Sequence, residues 1–412
     1  MTLLERYAEV TGSDVIEHLR QLGGLLQGAR VVHVNATAWG GGVAELLNAL
    51  VPLSRELGLE TSWEVLEGTP EFFACTKLMH NALQGLQVAP DEHALQQYEK
   101  VNAGNAERLA AVLSDADFVF IHDPQPASLI RHFPDRSGHW IWRCHIDASH
   151  PEQRVWRYLR ELVATHDASV FSLPAFVRPL PHPCYVIPPA IDPLADKNRD
   201  LDDAERIRLC EGLGLDLERP LITQISRFDR FKDPLGVIQA FRLAREFIPG
   251  LQLLLAGGGA ADDPEGSEVF HECLATTEGD PDAHVMELPP RDNLTINAIQ
   301  RSSDIVLQKS TREGFGLTVT EGMWKGRAVI GGDTGGIRLQ LINHHTGFLV
   351  QSPEGAALRI RYLMRNARRR EEIGARAREF ARRSFLVTRQ LREYLTLMVA
   401  MRDGSGERIE LG

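Results

Sequence analysis

Two glutamates eight residues apart, Glu313 and Glu321, are candidates for ligand binding because glycines and a predicted helix start lie between them. Gly314-Phe315-Gly316 predicts a loop after the first, and the stretch Leu317 to Trp324 predicts a helix that contains the second. Carboxylates accept hydrogen bonds from the paired hydroxyls of polyols, and N–H groups at a helix N-terminus bind phosphate. Two surface glutamates are the alternative on composition alone. The N–H groups expected at this helix start belong to Phe315, Gly316, Leu317 and Thr318.

Two cations, Arg227 and Lys232, follow one predicted strand and precede a predicted helix. An Arg supplies a bidentate fork and a Lys a point charge, so the pair could hold one pyrophosphate. It could then neutralise a leaving diphosphate without a metal. The alternative is a pair of surface salt bridges with Asp229 or Asp233.

Two glycine-rich segments, each after a predicted strand, do not match the common nucleotide-binding fingerprints. A dinucleotide motif needs Gly or Ala at its sixth position, but counting from Gly40 gives Glu45 and counting from Gly257 gives Asp262. No phosphate-binding P-loop motif occurs either. Two such loops favour a phosphate-containing ligand, with tight turns as the alternative. In the first loop, the glycines expected to face the phosphate are Gly41 and Gly42.

The segment Arg143-Cys144-His145-Ile146-Asp147 follows an apolar stretch and offers an imidazole and a carboxylate for chemistry. Taken alone, His145 is more often a hydrogen-bonded structural residue. Asp115-Ala116-Asp117 spells DxD, a signature for binding a metal–diphosphate group. It precedes a predicted strand instead of ending one, so a solvated turn is favoured and no metal is expected.

The elements that must position these residues alternate between short apolar strands and amphipathic helices. The pattern runs once through the first half, is interrupted by the proline-rich extended segment Cys184 to Pro193, and then restarts. Alternating βα units predict two doubly wound α/β domains, in which ligands bind at the carboxyl ends of the strands. The expected division is 1–190, 191–380 and a terminal helical segment 381–412, in which Phe385 to Met401 is amphipathic.

Length, charge and cysteine content limit the class of protein. A chain of 412 residues favours two domains. The net charge of −11 disfavours nucleic acid and membrane surfaces as partners. The five cysteines form no CxxC pair, as suits reduced thiols. Neither a signal-peptide stretch nor a membrane-length apolar run is visible, so we expect a cytoplasmic protein.

With the pair Arg227 and Lys232 preceding Glu313 and Glu321, the chain resembles family 4 of the retaining GT-B glycosyltransferases. The resemblance implies two Rossmann-like domains facing a cleft, with a C-terminal helix crossing back onto the first. It also implies that Glu313 holds the donor sugar, that Glu321 holds the ribose and that the two cations stabilise the diphosphate. Small sugars and nucleotide sugars would be the partners.

In the N-terminal half the resemblance implies an active-site role for His145 near the reacting sugar. Gly41 and Gly42 would assist donor binding. The residues implied in acceptor binding are Asn35, Asp123 and Asp147.

Several short segments narrow the resemblance to the trehalose-forming and trehalose-phosphorolysing members of that family. This narrower group implies transfer of glucose from a nucleoside-diphosphate glucose to glucose, giving α,α-trehalose with no further cofactor. The shorter length of the chain favours synthesis over phosphorolysis. The segments are Val34-Asn35-Ala36-Thr37, Phe72-Phe73, His80 to Gly85, Ile121 to Pro126 and Arg143 to Asp147.

Retention without an evident nucleophile suggests a same-face mechanism, in which the leaving phosphate oxygen takes the proton of the acceptor hydroxyl. Three alternatives stay open: another acceptor within the family, a sugar-nucleotide epimerase, and a non-catalytic nucleotide-sugar sensor. A dehydrogenase is disfavoured by the failed fingerprints. The nucleotide base and the oligomeric state stay open, with a homodimer as one alternative.

Overall fold

The computed structural model describes residues 1–38, 41–258, 264–289 and 291–404. The chain divides into two compact units: unit 1 is Met1–Ala190 with the chain from Val387, and unit 2 is Ile191–Leu386. The divisions thus fall at 190/191 and 386/387, where the sequence suggested 190/191 and 380/381. Gly40 and Asp262 of the two glycine loops, and residues 405–412, lie outside the described residues.

In the described part of unit 1, six parallel strands form one sheet in the order β2-β1-β3-β4-β5-β6. The strands are β1 Arg30–Asn35, β2 Glu60–Val65, β3 Phe118–His122, β4 His139–Arg143, β5 Ala168–Phe171 and β6 Cys184–Val186. The helices are α1 Leu3–Thr11, α2 Ser13–Leu25, α3 Gly42–Glu56, α4 Pro70–Leu83, α5 Glu92–Ser114 and α6 Gln153–Val163. Every residue of β3 is buried, because helices cover both faces of such a sheet.

In the described part of unit 2, six parallel strands form a second sheet in the order β12-β11-β10-β7-β8-β9. The strands are β7 Leu221–Ile225, β8 Gln252–Gly257, β9 Ala283–Glu287, β10 Ile305–Gln308, β11 Ala328–Gly332 and β12 Phe348–Val350. The helices are α7 Asp203–Cys210, α8 Pro234–Arg245, α9 Pro264–Thr277, α10 Asn293–Ser302, α11 Leu317–Trp324, α12 Ile337–Gln340, α13 Pro353–Arg365 and α14 Ala367–Ser384. The α/β prediction is therefore confirmed for both halves.

The strand order fixes where each unit can bind a ligand. In unit 1 the order reverses between β1 and β3, and in unit 2 between β10 and β7. Loops leave such a pair of strands in opposite directions, so a crevice forms at their carboxyl ends. Most predicted site residues come from the segments that follow these four strands; the exceptions are Asn35, which ends β1, and His145 and Asp147, which follow β4.

The last described helix, α15 Val387–Arg402, returns the chain to unit 1 and packs against α2 and α3. The apolar side chains predicted for its buried face are indeed buried: Leu391, Leu395, Leu397 and Met398. The basic helix α14 before it pairs its arginines along its own surface, as between Arg368 and Glu372 and between Arg382 and Glu379. Such pairing along one surface is typical of a solvated helix face.

The proline-rich segment after β5 begins as an edge strand, since Cys184–Val186 forms β6. Two buried guanidiniums then hold its carbonyl groups. Arg143 donates to the carbonyl of Ile187 at 2.8 Å, and Arg389 donates to those of Pro188 and Pro189 at 2.9 Å each. Because proline lacks an N–H, the segment cannot continue the regular ladder of β6. The two arginines satisfy its carbonyl groups instead.

No helix in the described ranges is long and apolar enough to cross a membrane. The five cysteines, all of which are described, carry free thiols.

Replacing Phe241 with alanine tests the core of unit 2. Its ring lies on α8, is fully buried and packs with strand residues such as Ile222 and Leu253. Phe241→Ala is expected to lower the free energy of unfolding by about 3–5 kcal/mol through lost burial and a residual cavity. Hydrogen exchange of the β7 and β8 amides measures this unit alone. Phe247→Ala, at a ring that is 42% exposed, is the matched control and should have a much smaller effect.

Candidate active site

The carboxylate of Glu313 is the centre of a polar cluster in unit 2. It lies in the loop after β10 and is 8% exposed. Its Oε2 atom accepts hydrogen bonds from Lys232 Nζ at 2.6 Å, Ser310 Oγ at 3.1 Å and Gln308 Nε2 at 3.2 Å. Among the described residues, no hydrogen bond reaches Oε1. One oxygen is therefore held by the protein, and the other is available to a ligand.

Electrostatics keep this buried carboxylate ionised. Burial by itself would raise the pKa of Glu313, but the charge of Lys232 and the hydrogen bonds from Lys232, Ser310 and Gln308 outweigh it, and the pKa lies below its usual value. The site thus presents a charged carboxylate and an ammonium group in contact.

Lys232 is positioned by the turn between β7 and α8. It ends a 3₁₀ turn, Arg230–Lys232, whose N-cap Asp229 accepts the Lys232 N–H at 3.0 Å. The next residue, Asp233, has a left-handed backbone with φ 49°, caps α8 and pairs with Lys309. A non-glycine residue in this conformation is uncommon and is typical of functional turns.

The amide of Gln224 joins this turn to the loop of Glu313. From the end of β7, its Nε2 donates to the carbonyl of Lys232 at 2.9 Å, and its Oε1 accepts the Lys309 N–H at 2.9 Å. Glycine completes the packing: Gly335 has φ +43°, and a Cβ there would lie 1.7 Å from the Glu313 carbonyl oxygen. No side chain fits at that approach.

Arg227 does not join the Glu313 cluster. Its side chain is 55% exposed and pairs with Asp229 at 3.4 Å. This is the salt bridge that the sequence analysis gave as the alternative, so the structure brings Lys232 to Glu313 and leaves Arg227 at the surface.

Glu321 lies in α11 and has partners of its own. It is 4% exposed; its Oε2 accepts from Gln300 Nε2 at 2.8 Å, and Oε1 lies 3.8 Å from Lys197 Nζ. Beside it, burial lowers the pKa of Lys325 to about 7. The two glutamates therefore contact different groups.

Helix α11 begins at Leu317, where the sequence predicted the start of a helix. Gly316 is the N-cap with φ 84°, and Leu317 is the first helical residue. Phe315 is buried and packs edge-on against Phe385 at 5.6 Å between ring centroids. The hydroxyl of Thr318 donates to the carbonyl of Ile225 at 3.0 Å, which ties the helix to the end of β7.

In unit 1, three imidazoles form a hydrogen-bonded chain at the switch between β1 and β3. His33 Nδ1 lies 3.1 Å from His122 Nε2, and His122 Nδ1 lies 2.9 Å from His145 Nε2. His33 and His122 are buried, and the ring of His145 is partly exposed. We refer to these three residues as the histidine chain.

The surroundings of the histidine chain keep it uncharged. Burial lowers the pKa of His33 to about 3, and burial followed by nearby charge lowers the pKa of His122 and His145 well below the usual value. Arg143, wholly buried beneath the chain, contributes to the last two shifts. Three neutral imidazoles can donate or accept, but they carry no charge to a ligand.

Asp123 holds the backbone of His145. It has a left-handed backbone with φ 64°, and its Oδ1 accepts the His145 N–H at 2.7 Å. Burial raises the pKa of Asp123 to about 7, although this N–H and the charge of Arg143 act in the opposite direction.

The other sites predicted in unit 1 serve local turns. Asn35 accepts from Trp63 Nε1 and donates to the Thr37 carbonyl, both at 2.8 Å. Asp147 accepts the N–H and hydroxyl of Ser149 at one oxygen, Oδ1. Gly41 and Gly42 are exposed at the start of α3, and a Cβ at Gly41 would meet no atom within 4 Å, so packing does not require that glycine.

Within the described ranges, no group of three or more His, Cys, Asp or Glu side chains is arranged to hold a metal ion. The Asp115-Ala116-Asp117 segment lies before β3, at the end of the sheet opposite the histidine chain. Asp117 accepts the N–H of Arg30 at 2.7 Å, and Asp115 pairs with the guanidinium of the same residue at 3.2 Å. Both carboxylates are thus used within the protein.

Sequence reasoning missed the partners of the site residues. His33, His122, Gln224 and Gln308 are polar residues inside or at the end of apolar strands. A buried polar side chain at the carboxyl end of a parallel strand is unusual enough to have signalled them.

The fold is of the GT-B type found in glycosyltransferases, and solved structures match it over nearly their whole length. A trehalose-6-phosphate synthase structure matches with a TM-score of 0.73 and 15% identity, over 90% of this chain and 99% of that one. A sucrose-phosphate synthase from Thermosynechococcus elongatus matches with a TM-score of 0.70 and 15% identity, over 92% and 100%. At these identities the likeness concerns the fold.

The sequence relatives are more specific. Residues 33–178 match the family described as "Trehalose synthase, N-terminal domain", and residues 206–380 match "Glycosyl transferases group 1". A trehalose synthase of Pyrococcus horikoshii is 43% identical over 96% of this chain and 95% of its own length. One from Rubrobacter xylanophilus is 41% identical over 97% of both. The chain belongs to the trehalose synthase family of glycosyltransferases.

A more distant relative is a trehalose phosphorylase of Pleurotus pulmonarius. It is 31% identical over 86% of this chain, which matches only 55% of the phosphorylase.

Replacing Lys232 with methionine tests the ion pair of Glu313. The variant buries Glu313 without its cation, which should cost about 3–5 kcal/mol of unfolding free energy at pH 7. The lowered pKa of Glu313 stabilises the native protein above the unfolded-state pKa of about 4.3, and this stabilisation is lost as the pH falls through the folded-state value. In the variant the pKa of Glu313 should rise, so acid relieves its cost.

The difference in stability between the two proteins should therefore be largest near neutral pH and shrink toward pH 4, as measured by urea denaturation across that range. Adding Glu313→Gln to the variant should recover most of the loss. A difference that does not change with pH would contradict the assigned ion pair.

Proposed function

We propose that this protein transfers glucose from a nucleoside-diphosphate glucose to free glucose and forms α,α-trehalose with retention of configuration. The observation that carries the proposal is Glu313: one oxygen is fixed by three protein donors, and the other faces no described donor. Such a carboxylate suits the hydroxyls of a hexose. Membership of the trehalose synthase family supports glucose as the sugar.

Lys232 and the start of α11 would stabilise the diphosphate. The ammonium group contacts Glu313, and the N–H groups at Gly316, Leu317 and Thr318 belong to a helix start, whose first N–H groups have no intrahelical partner. Arg227 is exposed and would reach the phosphates only by leaving Asp229. Each donor directed at a developing charge contributes about 2–4 kcal/mol to transition-state stabilisation.

Glu321 would bind the ribose through Oε1, since Oε2 is held by Gln300. The ammonium of Lys197 lies 3.8 Å from that oxygen. Gly41 and Gly42 would assist at the phosphate end of the donor. Their exposed position at the start of α3 is compatible with that role.

Unit 1 would bind the acceptor. His145 is the partly exposed end of the histidine chain, and Asp147 uses only Oδ1 in its local turn. Asp123 and Asn35 stand at the same ends of β3 and β1. The imidazole and the amide offer neutral donors and acceptors, and the carboxyl groups can accept hydrogen bonds from sugar hydroxyls.

The reaction we propose breaks the bond between the anomeric carbon and the phosphate oxygen. The same leaving oxygen takes the proton of the acceptor hydroxyl as that hydroxyl bonds to the anomeric carbon from the same face. No protein nucleophile is used, and we propose that no metal or further cofactor is required. A cytoplasmic location would supply both substrates.

Product analysis tests this function. The protein is incubated with UDP-, ADP- or GDP-glucose and glucose labelled with ¹³C at carbon 1, and the disaccharide is identified by NMR. We expect an α,α-1,1 linkage, one nucleoside diphosphate released per disaccharide, and an unchanged yield in excess chelator. A C4-epimerised donor formed without acceptor, or binding without turnover, would overturn the proposal.

A phosphorylase is the second candidate, because a trehalose phosphorylase is 31% identical to this chain. Incubation with trehalose and phosphate distinguishes the two. Glucose 1-phosphate formed without any nucleotide would replace the synthase proposal with phosphorolysis.

Replacing Glu313 with glutamine tests its role in transfer. The change keeps the size of the side chain but removes its charge, so kcat should fall by about 100-fold or more. Glu218→Gln, the same change at an exposed residue before β7, should retain full activity. Circular dichroism confirms that both variants fold. Near-normal turnover of the Glu313 variant would rule out its proposed role.

A further inference from the structure

The histidine chain couples three rings that are distant in sequence. His33 lies on β1, His122 ends β3, and His145 follows β4. Each ring-to-ring contact joins an Nδ1 to an Nε2, at 3.1 Å and 2.9 Å. The rings also stack: His33 on Phe120 at 4.9 Å and His122 on His145 at 5.2 Å between centroids. Their orientations are therefore fixed by packing as well as by hydrogen bonds.

The number of protons allows only two arrangements. Each neutral ring carries one N–H, and each contact needs one donor and one acceptor. If His122 donates through Nε2 to His33, its Nδ1 must accept from Nε2–H of His145, which leaves His145 Nδ1 as an acceptor. If His122 donates through Nδ1 to His145, then His33 must donate to His122, and His145 Nδ1 carries the proton. The three rings must share one tautomer.

We propose that His33 and His122 are positioning residues that fix, through this shared tautomer, whether Nδ1 of His145 donates or accepts a hydrogen bond. The Nδ1 atom receives no hydrogen bond from the described residues, and His145 is partly exposed whereas His33 and His122 are buried, so it is the end of the chain that can meet a ligand. Which of the two ring nitrogens carries the proton is set by the hydrogen bond that the other nitrogen makes. His33, which lies beyond contact with His145, thus determines what His145 offers.

The charged groups near the chain support a neutral, directional arrangement. Arg143, the last residue of β4, is fully buried, and its positive charge adds to burial in opposing protonation of His122 and His145. Asp123 is occupied by the backbone N–H of His145 and not by a ring nitrogen. A charged ring would carry a proton on both nitrogens, so the three rings could no longer share one neutral tautomer.

The role of His145 toward a sugar rests on the proposed function, but the coupling can be measured without activity. The protein is labelled with ¹⁵N-histidine, and the ring nitrogen shifts report which nitrogen carries the proton. We expect a single, identical neutral tautomer in His33, His122 and His145 near pH 7.5. In His33→Phe, which keeps a ring against Phe120 but removes the nitrogens, the His145 signals should move to those of the other tautomer or of a mixture.

His33→Asn is a second variant. Its amide can donate or accept toward His122, so the contact survives while the direction is lost, and a mixture of tautomers is expected at His145. The matched control is His139→Phe, at the other end of β4, where the ring stacks on Phe118 at 5.5 Å. This control should leave the His145 signals unchanged.

Transfer kinetics give the functional readout. Loss of a positioning partner should lower kcat by about tenfold with little change in the KM for the donor. Unchanged His145 signals in both His33 variants, or different tautomers in the wild-type rings, would overturn the coupling. If no transferase activity is found while His33→Phe still alters the His145 signals, the proposed function fails and the coupling stands.

Discussion

The pairing of Glu313 with Lys232 is the interaction on which the organisation of unit 2 depends. A carboxylate that is 8% exposed keeps its charge only if a cation lies beside it. Here Lys232 Nζ lies 2.6 Å from Glu313 Oε2. The partners come from loops that follow β10 and β7, which are adjacent strands in the sheet. Gln224, Asp233 and Lys309 hold those loops together and thereby keep the ion pair in position.

The two units have similar sheet topologies, but the polar groups at their strand ends differ in charge. Each places its polar groups at the carboxyl ends of two adjacent strands where the strand order reverses. Unit 2 concentrates ionised groups there, as suits a charged ligand such as a nucleoside diphosphate. Unit 1 places imidazoles there that burial keeps neutral, and the charge of Arg143 adds to this effect at His122 and His145. The division of labour follows from residue type and burial, not from any difference in fold.

The sequence predicted the α/β class and the elements well, because alternating apolar strands and amphipathic helices are local signals. It also identified Glu313 and Lys232 from their loops. It could not predict that Lys232 would contact Glu313 while Arg227 pairs with Asp229, since that depends on a turn with a left-handed Asp233. The histidine chain was missed for a similar reason: His33 and His122 contact each other only through strand register, across 89 positions of sequence.

The raised pKa of Asp123 determines which group of this cluster changes charge near neutral pH. In a cluster that contains three histidines, an imidazole would ordinarily be the group that changes charge near neutral pH. Here burial has exchanged the roles: the pKa of Asp123 is raised to about 7, while the imidazoles stay neutral across the same range. A rise in pH through neutrality therefore adds a negative charge beneath His145 where histidine chemistry alone would have removed a positive one.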